Sequence, residues 1–150
     1  MAERDIVPVW SNGKALMDQP VRTWGLMERD KMIGKRILLV EDESLVRRCI
    51  GQLLASDDHT VVEANNGAEA LSLFTQAQFD LVMTDFEIPF VRGDELAARI
   101  KRLAPQQPIL MITGYQQRPG PDNPVDAVLN KPIHREQLRE TMARLLSAVG

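Results

Sequence analysis

The chain has 150 residues, 44% of them apolar and 26% charged, with a net charge of −3 and a single cysteine. That is enough for one well-filled core; the lone cysteine excludes an intrachain disulfide and a cysteine-based zinc cluster, and the mildly acidic balance argues against a phosphate-neutralising nucleic-acid surface. No apolar run approaches a bilayer span, and Glu3, Arg4 and Asp5 break any signal-peptide pattern, so the expectation is a cytoplasmic protein without membrane insertion or direct DNA binding.

Residues 1–35 scatter Trp10, Trp24, Pro8, Pro20, Gly13 and Gly25 without sustained periodicity and carry a charge of +1, against −4 for the rest. They are read as an N-terminal extension: an over-long start with Met32 as the alternative, a disordered tail, or a docking arm anchored by the two tryptophans. The folded domain is placed at 36–149. Its first strand is Ile37–Val40, an unbroken apolar run of the kind parallel sheets bury on both faces. A helix follows, with Ser44 as N-cap and Val46, Ile50, Leu53 and Leu54 as the buried stripe. Cys49 flanks that stripe and is assigned to packing, with no redox role.

Thr60–Ala64 is the second strand. Asn66 and Glu69 then form a capping-box pattern for a helix that turns Ala70, Leu71 and Phe74 inward. Asp80–Thr84 is the third strand, and Leu96, Ala97, Ile100 and Leu103 mark the helix after it. Ile109–Ile112 and Ala127–Leu129 are the fourth and fifth strands. The last helix begins near His134 and buries Leu138, Met142, Leu145, Leu146 and Val149. Strands alternating with helices through short loops give a doubly wound α/β domain with a five-stranded parallel sheet and helices on both faces.

Ligands of such sheets bind beyond the carboxyl ends of the strands. Those ends carry Glu41 and Asp42, Asp85, Thr113 and Lys131. Three carboxylates on one rim repel one another unless a cation neutralises them, which argues for a hard divalent ion, best magnesium. Thr113 supplies a hydroxyl and Lys131 a mobile point charge, groups suited to a phosphoryl oxygen, while Asp85 is a candidate nucleophile.

With these motifs in order (VEDES at 40–44, LVMTD at 81–85 with Pro89 and Gly93 downstream, ITG at 112–114, and Lys131-Pro132), residues 36–149 resemble the receiver domain of two-component response regulators. The resemblance implies a flavodoxin-like sheet of order 2-1-3-4-5, Asp85 as phosphoacceptor, and Mg2+ held by Glu41, Asp42 and Asp85 with help from the backbone carbonyl of Glu87. It also implies Thr113 as switch hydroxyl, Lys131 as the phosphoryl-contacting ammonium, and a cis Lys131-Pro132 peptide. The protein would take its phosphoryl group from a histidine kinase or histidine phosphotransferase and signal to a downstream protein by contact, without an output domain of its own. It would not be an enzyme, its only chemistry being self-phosphotransfer and autodephosphorylation. Alternatives are a non-phosphorylated pseudo-receiver and a receiver partner of a hybrid histidine kinase. A phosphatase of the haloacid-dehalogenase type fits poorly, because a second aspartate is expected where Glu87 stands.

Two departures from the family affect output. Pro119, Gly120, Pro121 and Pro124 fall where the fourth helix belongs, so that helix is expected to be reduced or missing. Val128 occupies the usual aromatic switch position, with Tyr115 as a partial substitute, so output is expected to run through ordering of the loop after Thr113. Glu87 lies near enough to Asp85 to bear on water attack at an acyl phosphate. Outside the site, Asp57-Asp58-His59 is read as a solvated turn on the opposite rim, and His134 as an early residue of the last helix and not a relay histidine.

Overall fold

The computed structural model describes residues 34–114 and 123–149 together with two short strand segments, 10–11 and 14–15. The chain divides into two units, Met1–Asp30 and Lys31–Gly150. In the first, Trp10–Ser11 pairs antiparallel with Lys14–Ala15. The sequence pattern predicts no strand there. The side chains of Trp10 and Trp24, and with them the docking-arm reading, lie outside the described residues.

The second unit is a five-stranded parallel sheet of β1 (Arg36–Val40), β2 (Thr60–Ala64), β3 (Leu81–Asp85), β4 (Ile109–Thr113) and β5 (Ala127–Asn130), in spatial order β2-β1-β3-β4-β5. Its helices are α1 (Ser44–Ser56), α2 (Gly67–Gln76), α3 (Gly93–Leu103) and α4 (Arg135–Val149). Alternation along the strands divides the core. Ile37, Leu39, Leu81, Met83, Leu110 and Ile112 pack with Ile50 and Leu54 of α1 and with Leu138, Met142 and Leu145 of α4. Leu38, Val40, Val82 and Ile109 pack with Ala70 of α2 and with Leu96, Ala97 and Ile100 of α3. Period 2 in the strands and period 3.6 in the helices thus cover both sheet faces.

The sheet is doubly wound in the expected order, with small shifts. β3 runs one residue later than read, because Asp85 still pairs with Ile112 while Asp80 exchanges its bonds with the Arg36 backbone outside the strand. Ser44 is the first residue of α1 and not its cap; Glu43 is the N-cap, without a side-chain bond. Asn66 caps α2 as read, accepting from the Glu69 amide at 2.8 Å.

Three burial readings are corrected. Cys49 is exposed, because a residue next to Ile50 is rotated about 100° from it around the helix. Leu103 is 61% exposed; it sits in the last turn of α3, where the apolar stripe runs out. His59 is buried rather than solvated, since its Nδ1 accepts the Lys35 amide at 3.3 Å and burial keeps the imidazole below its ordinary pKa. Its neighbour Asp57 does face water in part, but is held by a two-bond contact with Arg139.

Among the described residues no helix stands between β4 and β5: Gly114 and 123–126 are non-helical. Most of the segment expected to lack a helix, 115–122, lies outside the described residues, as do Tyr115 and the Val149 side chain. No helix among the described residues is long and apolar enough to cross a membrane.

Candidate functional site

The carboxyl ends of β1, β3, β4 and β5 converge on one rim. Two glycines let the backbone close around it. A Cβ on Gly93 would fall against the Asp85 carbonyl oxygen and, at 2.9 Å, the Phe86 Cα; a Cβ on Gly67 would meet Val91 at 2.6 Å. The Gly93 amide donates to the Phe86 carbonyl and the Gly67 amide to that of Pro89, so the β3–α3 loop folds back tightly beside Asp85. Phe90, in that loop, takes a positive φ of 72° and is 84% exposed.

Glu41 directly follows β1 and Asp85 ends β3, the two strands being hydrogen-bonded neighbours. Carboxylate oxygens of Glu41, Asp42 and Asp85 lie within 4.8 Å of one another. Glu41 and Asp85 are buried and Asp42 is exposed. Lys131, the residue after β5, places Nζ 2.9 Å from Glu41 Oε1 and 2.8 Å from Asp85 Oδ2. The Glu43 amide donates to Glu41 Oε2 at 3.2 Å, and the Glu87 amide approaches Asp85 Oδ1 at 3.4 Å. Thr113 is fully buried at the end of β4, its Oγ1 donating to the Gly114 carbonyl at 3.3 Å. The structure therefore brings Glu41, Asp42, Asp85 and Lys131 into one cluster with Thr113 at the end of the adjoining strand. Lys131-Pro132 is cis, as the resemblance implied.

Charge dominates the site. Burial, helped by the nearby Asp85 charge, pushes the Glu41 carboxyl up to about 7, despite the opposing bonds from Lys131 and the Glu43 amide. Burial works against the Lys131 ammonium too, but the bonds and charges of Asp85 and Glu41 outweigh it and hold its pKa above the usual lysine value. One ammonium set among three carboxylates leaves an excess of negative charge in a partly dry place. Hard oxygen donors converging this closely, one of them open to water, suit a divalent cation that keeps part of its hydration shell.

The cluster opens into a depression of about 550 Å3 whose wall includes Asp42, Asp85, Glu87, Phe90, Arg92 and Lys131. Arg92 stacks over the Phe86 ring at 5.0 Å and makes two bonds to Asp94. Sequence reasoning missed the exposed Phe90 and Arg92 at this mouth, since neither has a chemistry that the strand-end rule selects. It also missed Arg47, whose Nη1 donates to the Glu41 carbonyl at 2.9 Å while Nε binds Glu63 Oε1 at 2.9 Å.

Comparison with known proteins fits this geometry. The profile of the response regulator receiver domain matches residues 37–143. The response regulator receiver protein CpdR of Brucella abortus is 36% identical over 118 residues, covering 76% of this chain and 98% of its own. The phosphate regulon transcriptional regulatory protein PhoB of Pseudomonas aeruginosa is 30% identical, but the chain spans only 55% of it. Among solved structures, the response regulator protein TrrA of Thermotoga maritima, in complex with Mg(2+)-BeF, superposes with a TM-score of 0.70 at 30% identity, covering 74% of this chain and 98% of that one. A response regulator structure from Chloroflexus aurantiacus, at 24% identity and a TM-score of 0.72, shows the same fold.

Proposed function

The chain belongs to the response regulator receiver domain family, and on that premise we propose that it is a phosphorylatable switch whose acceptor is Asp85. The observation that carries the proposal is the Lys131 ammonium bridging Glu41 and Asp85 at the mouth of the depression. Phosphoryl transfer through a loose transition state needs positioning and charge neutralisation more than covalent machinery. In the proposed reaction, a phosphohistidine of a histidine kinase or histidine phosphotransferase is the donor. An Asp85 carboxylate oxygen forms a bond to phosphorus as the P–N bond breaks and the imidazole leaves.

Glu41, Asp42 and Asp85 are the proposed ligands of Mg2+, with the Glu87 backbone carbonyl as a further one. When bound, the ion neutralises charge on the phosphoryl oxygens and on the carboxylates. Lys131 then exchanges part of its contact with Asp85 for a phosphoryl oxygen. Thr113 exchanges its bond to Gly114 in the same way, shifting the backbone at the end of β4 and biasing a two-state surface that a downstream protein reads.

The test is intact-protein mass after incubation with acetyl phosphate and Mg2+. A single phosphoryl adduct on the wild type, absent from Asp85→Asn and from a chelated control, is expected. An adduct of equal yield on Asp85→Asn refutes the assignment.

A further inference from the structure

Every polar atom of Glu41 has a partner. Lys131 Nζ binds Oε1 at 2.9 Å and the Glu43 amide binds Oε2 at 3.2 Å. Its own amide donates to the Ala64 carbonyl at 3.1 Å, and its carbonyl accepts from Arg47 Nη1 at 2.9 Å. Arg47 comes from the first turn of α1, where its amide bonds the Glu43 carbonyl at 2.8 Å. Its Nε is anchored on Glu63 of the edge strand β2 at 2.9 Å. The guanidinium side chain is only 17% exposed.

The bond from Arg47 falls on the peptide unit between Glu41 and Asp42, the two residues whose carboxylates must point at one place although they are adjacent in sequence. A planar guanidinium can hold two acceptors at once in fixed directions, which an ammonium cannot reproduce. Rotation of that peptide unit would swing the exposed Asp42 away from Glu41 and Asp85. From this geometry we infer that Arg47 is a positioning residue: its fork, braced on Glu63, fixes the Glu41–Asp42 peptide and so aims both carboxylates into one divalent-cation site. The inference rests on the Mg2+ reading proposed above.

Electrostatics and positioning predict opposite outcomes, which makes the inference testable. A nearby positive charge repels Mg2+, so if Arg47 acted by charge alone, its removal would tighten binding. If it acts by holding the peptide, removal loosens binding, as loss of an outer partner of a metal ligand does by about 10–100-fold. The experiment is calorimetric titration of the full chain with MgCl2 for wild type, Arg47→Met and Arg47→Lys, with folding checked by circular dichroism. Arg47→Met is expected to weaken Mg2+ at least about tenfold. Arg47→Lys, which keeps the charge but not the fork, is expected to weaken it as well, and it answers the question alone if the methionine variant does not fold. Unchanged or tighter binding in Arg47→Met, or wild-type affinity in Arg47→Lys, overturns the inference. Absence of Mg2+ binding by the wild type overturns the metal reading itself, and the positioning role with it.

Discussion

Replacing Asp85 by asparagine keeps the volume of the side chain but removes a charge from the most crowded part of the site. Carboxylate oxygens of Glu41 and Asp42 lie within 4.8 Å of it. At an effective dielectric of about 20, each such pair of full charges repels by about 3.5 kcal/mol or more. Asp42 is exposed, so water and salt screen its share. Against this stands the attraction of Lys131 at 2.8 Å, about 6 kcal/mol on the same scale, of which a hydrogen bond from the charged ammonium to the asparagine oxygen recovers about 2 kcal/mol. These terms nearly cancel, and relief of a carboxylate only 6% exposed tips the balance toward the variant.

The expected result at pH 8 with chelator is therefore that Asp85→Asn is more stable than wild type by about 1 kcal/mol, raising Tm by about 2–4 °C. Magnesium should reverse the order. Wild type gains about 1.4 kcal/mol when free Mg2+ is ten times its dissociation constant, whereas the variant, short of one proposed ligand, gains little. Thermal melts followed by circular dichroism, with chelator and across a Mg2+ series, measure both effects. A variant that melts below wild type in chelator would refute the charge-crowding argument, and equal Mg2+ stabilisation in the two proteins would refute Asp85 as a ligand.

Gly93→Ala should destabilise the fold by about 1–3 kcal/mol, because the new methyl meets the backbone of Asp85 and Phe86 and not a yielding side chain; chemical denaturation that shows no loss would refute the close-approach account. His59 gives a pH dependence. Its folded pKa lies below 6.5 through burial, although Asp57, Asp58 and Asp80 oppose that shift and Lys35 adds to it. The unfolded chain therefore takes the proton first, so this part of stability is full above pH 6.5 and falls as pH drops toward the folded value, with a slope of at most about 1.4 kcal/mol per pH unit. The depressed Asp57 carboxyl acts in the same direction only near and below its ordinary range. His59→Gln, which retains an acceptor for the Lys35 amide but does not titrate, should make the slope below pH 6.5 less positive, while Glu41, raised to about 7, contributes in the opposite sense in both proteins; an unchanged slope in urea melts would show that His59 does not contribute to it.

The sheet and the chemistry of its rim are legible in the residue pattern alone. Unbroken apolar runs of strand length, interleaved with period-3.6 stripes, admit few arrangements other than a parallel doubly wound sheet. That sheet places whatever follows its strands on one edge, so Glu41, Asp42, Asp85, Thr113 and Lys131 could be picked out without coordinates. What sequence could not supply is orientation. Cys49 and Ile50 are neighbours in the chain, yet only packing of α1 against the sheet decides which of them meets the core. His59 reads as part of a polar turn, and its burial depends on the amide of Lys35, 24 residues away. Arg47 looks like any helix-surface cation, and its bond to the Glu41 carbonyl exists only because α1 returns over the end of β1 while β2 presents Glu63 alongside. Local pattern fixes which residues are apolar or charged; long-range closure of the chain fixes which atoms they touch, and at this rim those contacts set the charge, the burial and the aim of the carboxylates.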